Sequence, residues 1–184
     1  MPKGIAIIKS LSAVLAEHEL PPYLAQLLLR LQAHYHYLVE QITEIETALM
    51  QEVMQDDTGQ RLMTMPGIGP ITASALSSQL GDGKQYARSR DFAASTGLVP
   101  RQYSTGGKTT LLGISKRGDK KLRQLLVLCA RSFLQSLEYR SGKLAAWVKK
   151  QLERKHTNVV VCALANKLAR IAWAITTQHT VFEA

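Results

Sequence analysis

Residues 101–123, RQYSTGGKTTLLGISKRGDKKLR, hold the side chains best suited to work on phosphate. Seven are basic (Arg101, Lys108, Lys116, Arg117, Lys120, Lys121 and Arg123) and one, Asp119, is acidic. Between them lie hydroxyls and glycines: Ser104, Thr105, Gly106, Gly107, Thr109, Thr110, Gly113, Ser115 and Gly118. Such a segment has two chemical uses. Its cations, hydroxyls and backbone N–H groups can contact phosphates. It can also present a serine as a nucleophile toward phosphorus, with nearby cations stabilising the charge that develops. Composition by itself favours the first use. The segment lacks the G-x-x-x-x-G-K-[ST] spacing of a nucleotide-binding P-loop.

A second run, RLMTMPGIGPITASALSSQL (61–80), points the same way. Its centre is Met65-Pro66-Gly67-Ile68-Gly69-Pro70. It resembles a helix-hairpin-helix element, two short helices joined by a P-G-I-G turn. Gly67, Ile68 and Gly69 would form the turn, where glycine allows positive φ and close backbone approach. Free N–H groups of the turn and of the next helix would face a phosphate. Pro70 suits the first turn of that helix, where its missing N–H costs nothing. Such a grip holds a nucleic-acid backbone without reading sequence. The plain alternative is a tight helical corner with no ligand.

The charge distribution agrees with a polyanionic partner. The net charge of the 184 residues is +9, unevenly divided. Residues 1–60 carry three basic and eight acidic side chains, a net of −5; residues 61–184 carry a net of +14. A basic half of that size suggests nucleic acid. Apolar residues make up 46% and charged residues 20%, which excludes wholesale disorder. Two cysteines cannot form a disulfide scaffold, and they suggest a reducing compartment. Cys129 and Cys162 sit in apolar helical runs and read as buried free thiols. No run approaches the ~20 apolar residues of a bilayer span, and no signal peptide is read at the start.

The elements that must position these residues are helical. After Pro21-Pro22, Leu24, Leu28, Leu31, Tyr35, Leu38, Ile42, Ile45 and Leu49 recur at alternating spacings of four and three. That is a coiled-coil seam, and it favours self-association over folding back. His34 and His36 are two apart, on different faces, so they share no metal. Asp56 to Gly59 reads as a stop. Asp119 can cap a helix from Lys120. Residues 143–155 make a short basic helix, and Thr157 or Asn158 caps a last helix to about Gln178. The expectation is a mainly α protein: an N-terminal segment (1–22), a coiled-coil helix (23–57) and a compact helical domain (58–184). The basic Ser/Gly segment interrupts that domain as a loop, with room for a small β-hairpin in 98–115.

Three strings now carry a resemblance: PGIGPITASAL, FAASTGLVPRQYSTGGKTTLLGISKRGDKKLRQLL and NVVVCALANKLARIAWA. Together they closely resemble the C-terminal domain of the Piv/MooV-like insertion-sequence transposases (the IS-one-ten family, particularly its IS-eleven-eleven branch). The resemblance covers about residues 60–180, and a long helical connector precedes this domain in family members. It implies a DNA recombinase that works in the bacterial cytoplasm, associated with the nucleoid. It implies a serine that attacks the DNA backbone and becomes covalently linked to it. The matching residue is Ser104, or Thr105 if the alignment slips by one. Arg101, Lys108, Lys116, Arg117 and Arg123 would hold phosphates, with Lys120 and Lys121 beside them.

The resemblance also implies parts that are not legible here. Family members carry an N-terminal RuvC-like domain whose four acidic residues bind Mg²⁺, and they act with a bridge RNA and as multimers. No run here reads as that domain. Glu40, Glu44, Glu46 and Glu52 spread along a helix, and Asp82, Asp91 and Asp119 are scattered, so no metal site is expected. The sequence reads as the C-terminal half of a transposase, inactive in strand transfer alone and self-associating through residues 24–53. The rival from another class is a non-catalytic helix-hairpin-helix DNA-binding module; a third is a coiled-coil interaction protein that binds nucleic acid loosely.

Overall fold

A computed structural model describes residues 8, 10–18 and 20–183, except for the side chains of Thr105 and Lys108. The chain divides into two compact units, residues 1–48 and 49–184.

The first unit contains α1 (Leu11–Glu17) and most of α2 (Pro22–Gln55). No Gly or Pro follows Pro22 within α2, so its 34 residues run about 50 Å without a break. Near its start the seam is partly covered: Leu24, Leu28 and Tyr35 are half-buried, and Gln32 Nε2 donates to the Ile8 carbonyl at 2.7 Å. Further along, Leu31, Leu38, Ile42 and Ile45 are exposed. The helix stops at Gln55 because Asp56 turns its carboxylate to the next helix. It accepts from the N–H groups of Thr58 and Gly59 and so caps α3 (Asp57–Met63). The long helix does stop here, and Asp56 also caps the next one.

In the second unit α3 is followed by α4 (Pro70–Leu80) and α5 (Ser89–Ser95). Strands β1 (Pro100–Thr105) and β2 (Lys108–Ile114) pair antiparallel around Gly106-Gly107. Then come α6 (Lys120–Gln135), a 3₁₀ turn at Leu137–Tyr139, α7 (Gly142–Leu152) and α8 (Thr157–Gln178). The fold is mainly α, and the room left for a β-hairpin is filled by one. The last helix is capped by neither Thr157 nor Asn158. His156 does it, its Nδ1 accepting from the Asn158 N–H at 3.2 Å.

The core is organised around α8. Val160, Val161, Leu164, Ala165, Leu168, Ala169, Ala172 and Ile175 are all buried. At ~100° per residue they cover about half of the helix circumference, too wide a face for one neighbour to bury. It packs on α3, α4, α5, α6 and α7. Alanines at 165, 169 and 172 let those neighbours approach closely. By length and composition α8 could cross a bilayer, although no such run was expected; half of its most apolar window is buried inside this unit. Against α8 lie Phe92 of α5, Leu76 and Leu80 of α4, and Leu122, Leu126 and Phe133 of α6. Trp147 and Trp173 are partly buried against the core; the Trp173 Nε1–H donates to the Gly83 carbonyl at 3.1 Å.

The β-hairpin is fastened to the helices at its foot. Ser115 N–H donates to the Val99 carbonyl (2.8 Å), Lys116 N–H to Gly97 (3.0 Å) and Asp119 N–H to Ser95 (2.9 Å). Gly118 makes this possible. Its φ is +119°, and a Cβ there would lie 1.9 Å from the Ser95 carbonyl oxygen. Gly118→Ala therefore breaks both the backbone conformation and the contact. It is expected to destabilise the second unit by roughly 3 kcal/mol, measured as a lower urea midpoint for the loss of helical circular dichroism.

Candidate nucleic-acid interface

Ser104 stands on β1, opposite Thr109 of β2. Its side chain is exposed, and its hydroxyl has no hydrogen-bond partner among the described residues. Arg101, Gln102, Tyr103, Leu111 and Leu112 on the same hairpin are also exposed. The alternative nucleophile Thr105 pairs with Lys108 beside the turn, and the side chains of both lie outside the described residues. Residues 100–118 contain no carboxylate and no histidine. The hairpin presents a hydroxyl with cations nearby and without a base of its own to take its proton.

The foot of the hairpin gathers the cations. Lys116 and Arg117 lie there, followed by Lys120 and Lys121 on the first turn of α6, which Asp119 caps by accepting from the Leu122 N–H at 2.8 Å. Lys116 has a φ of +56°, a conformation that non-glycine residues seldom adopt. Arg123 differs from the others. Its Nη1 donates to the Thr96 carbonyl at 2.8 Å, so the guanidinium ties α6 to the end of α5.

The corner between α3 and α4 divides its three expected residues. Ile68 is buried and its N–H donates to the Met65 carbonyl, so neither group reaches a ligand. Gly67 packs on α6: with a φ of +86°, a Cβ there would come within 2.7 Å of the Cys129 carbonyl oxygen. Gly69 has open space around its Cα. Its N–H, and those of Ile71 and Thr72 at the start of α4, have no backbone acceptor among the described residues. The outward-facing donors at this corner are therefore Gly69 and the first turn of α4.

The tertiary structure joins the corner to the hairpin foot. One groove of about 670 Å³ runs from Ile114 and Lys116 along α6, past Lys121, Gln124, Leu125, Leu128 and Arg131, to Cys162. A second, of about 280 Å³, lies between α6 and the corner and is lined by Gly67, Gly69, Ile71 and Thr72. Leu125 and Leu128 wall both. One face of α6 thus carries the hairpin foot at one side and the glycine corner at the other. Leu128 on the ridge between them is 59% exposed, and Ile71 is 52% exposed. Gln124, Leu128, Arg131 and Ile71 were missed in the sequence. The available signal was Leu128, a leucine on the face of α6 away from Leu122, Leu126 and Phe133.

Burial pushes the Cys129 thiol above its usual range, against a weaker opposing hydrogen bond to Thr72. Among the described residues, no group of three or more His, Cys, Asp or Glu gathers in a way that could hold a metal. Asp82 and Asp91 each pair with a neighbouring cation, Lys84 and Arg88.

Comparison with known proteins matches residues 59–146, which include the corner, the hairpin and α6, to the Transposase IS116/IS110/IS902 family. The chain is 69% identical to the transposase for insertion sequence element IS1328 of Yersinia enterocolitica, over 99% of this chain and 54% of that protein. It is 41% identical to the transposase for insertion sequence element IS1111A of Coxiella burnetii, over 78% of this chain and 39% of the relative. It is 30% identical to the pilin gene-inverting protein of Moraxella bovis, over 66% of this chain and 38% of the relative. The chain belongs to the IS116/IS110/IS902 family of transposases. It spans about half the length of the first of these relatives.

The two glycines of the corner separate folding from surface access. Gly67→Ala is expected to lower the urea midpoint, by a free energy of roughly 2–3 kcal/mol. Gly69→Ala, with open space for its methyl, leaves the midpoint unchanged within about 0.5 kcal/mol. Equal losses in both variants would show that the corner is structural throughout.

Proposed function

We propose that this chain is the DNA-engaging part of an insertion-sequence transposase and that Ser104 is its nucleophile. The observation that carries this reading is the single face of α6 that joins the basic hairpin foot to the glycine corner. Family membership supports DNA transposition as the process. In this reading α3 and α4 act as a helix-hairpin-helix element. A phosphate accepts hydrogen bonds from the N–H groups of Gly69, Ile71 and Thr72 and is favoured by the positive end of the α4 dipole. Arg101, Lys108, Lys116, Arg117, Lys120 and Lys121 hold phosphates on either side of the hairpin. Arg123 serves indirectly, by fixing the foot.

In the attack, Ser104 Oγ forms a bond to phosphorus as the bond from phosphorus to the leaving sugar oxygen breaks. The serine proton passes to a base, and the sugar oxygen leaves as an alcohol after gaining a proton. Residues 100–118 offer no carboxylate or histidine for these proton transfers. In this reading the base comes from another part of the assembly. Two copies associate through the exposed seam of α2, over residues 24–53. A guide RNA acts with the whole transposase.

The lack of a base beside Ser104 favours a second reading, a non-catalytic DNA-binding module. Covalent capture separates the two. A nicked suicide DNA, supplied with a relative's acidic domain, Mg²⁺ and guide RNA, is expected to yield a protein–DNA adduct that Ser104→Ala abolishes. An adduct kept by Ser104→Ala and lost in Thr105→Ala moves the nucleophile by one residue. No adduct, or one that neither change removes, leaves the non-catalytic reading standing.

Binding is tested by duplex DNA titrations at several salt concentrations. Lys116→Gly is expected to weaken binding and reduce the slope of log K against log salt by about 1. It relieves the positive φ, so stability stays level or rises by up to ~1 kcal/mol. Gly69→Ala weakens binding with the slope unchanged. Unchanged binding in both variants would refute this interface. Sedimentation tests the seam: Leu38→Asp with Ile42→Asp should convert a dimer to a monomer, and a monomeric wild type overturns self-association.

A further inference from the structure

We infer that the ridge between the two grooves of α6 is a seat for unpaired bases, and that the interface holds a single strand more tightly than a duplex. This rests on the nucleic-acid reading above and makes it more specific. Phosphate binding explains the cations and the free N–H groups but not the apolar surface between them. Leu128 and Ile71 are more than half exposed, and Leu125, Val127 and Ile114 add to the same surface. A duplex backbone, which is charged and hydrated, gains nothing from lying on leucine. An unpaired base has an apolar face that does.

The polar groups fit the same occupant. Lys121, Gln124, Leu128 and Arg131 follow one another at spacings of three, four and three along α6, so they share one stripe. Lys121 and Arg131 stand roughly 15 Å apart along the axis, enough for a backbone to meet both with two or three nucleotides between. Neither forms an ion pair among the described residues. Gln124 offers both a donor and an acceptor to a base edge. The stripe starts at Ile114 and Lys116, where the hairpin bearing Ser104 ends. A strand opened next to the attacked phosphodiester would find its unpaired bases on this ridge. DNA and RNA strands share this chemistry.

The direction of preference is diagnostic. A duplex has the higher charge density, so a purely electrostatic surface binds it better than a single strand. The experiment titrates the full chain with fluorescent oligothymidylate, oligouridylate and a duplex of equal length, roughly 15 nucleotides. The expected result is tighter binding of a single strand than of the duplex. Leu128→Ala should reduce single-strand affinity by roughly tenfold, the worth of about one base contact, and leave duplex affinity unchanged. The relative affinities of the thymidylate and uridylate arms assign the strand to DNA or RNA.

Cys162 gives a second readout, because its half-buried thiol lines the groove while Cys129 is buried with a raised pKa. At pH 8 the single strand should slow alkylation of Cys162, and the duplex should not. Duplex binding with no single-strand preference and no effect of Leu128→Ala overturns the inference and leaves the interface intact. An acidic amphipathic peptide that blocks Cys162 better than the single strand also overturns it, and assigns the groove to a protein. Failure to bind any nucleic acid overturns both readings.

Discussion

Burial of α8 is the constraint on which the other helices of the second unit depend. Its buried apolar residues cover about half of its circumference, too wide a face for one neighbour. Five helices pack around it. The largest of these, α6, gives the core Leu122, Leu126, Cys129, Ala130 and Phe133. Once that face is fixed, the opposite face has no freedom of orientation. The direction of Lys121, Gln124, Leu128 and Arg131 is set by packing in which they take no part.

A second set of contacts fixes what lies on either side of α6. The chain passes close to itself twice, Gly67 against the Cys129 carbonyl and Gly118 against the Ser95 carbonyl. Each approach brings backbone within reach of backbone, where a side chain would intervene. The first holds the α3–α4 corner to α6. The second holds the foot of the hairpin to α5, with Arg123 reinforcing it through the Thr96 carbonyl. These glycines therefore serve geometry, while a Cβ at Gly69 would meet nothing within 4 Å. The hairpin projects beyond this anchored foot, with Ser104 on an exposed two-stranded arm.

This division of labour has a chemical consequence. Among the described residues, Arg101, Lys116, Arg117, Lys120 and Lys121 form no ion pair, and the N–H groups of Gly69, Ile71 and Thr72 have no backbone acceptor, so they are available to phosphate. The hydroxyl of Ser104 is equally available, but residues 100–118 include no carboxylate or histidine to take its proton. In the proposed assembly, therefore, holding the backbone and activating the nucleophile are functions of different parts. Such separation makes attack conditional on assembly, because a serine without a base is a poor nucleophile at neutral pH.

Much of this was determined locally and could be read in the sequence. The helices follow from period and capping: Asp119 caps α6 because its carboxylate lies within reach of the third N–H. The heptad of α2, the glycine corner and the concentration of positive charge are likewise matters of spacing and composition. The strings that resemble the transposases identified the family. Other features depended on residues distant in sequence. Asp56, read as a stop, also caps the next helix, and Arg123 Nη1 binds the Thr96 carbonyl, because the groups they bind were placed by folding. Gly67 and Gly69 have identical side chains and near-identical sequence settings; only α6, some sixty residues later, distinguishes them. The union of hairpin foot, corner and exposed leucine on one face of α6 is also tertiary. Periodicity reports which residues share a face of one helix, but what stands on either side of that face is decided by packing around α8.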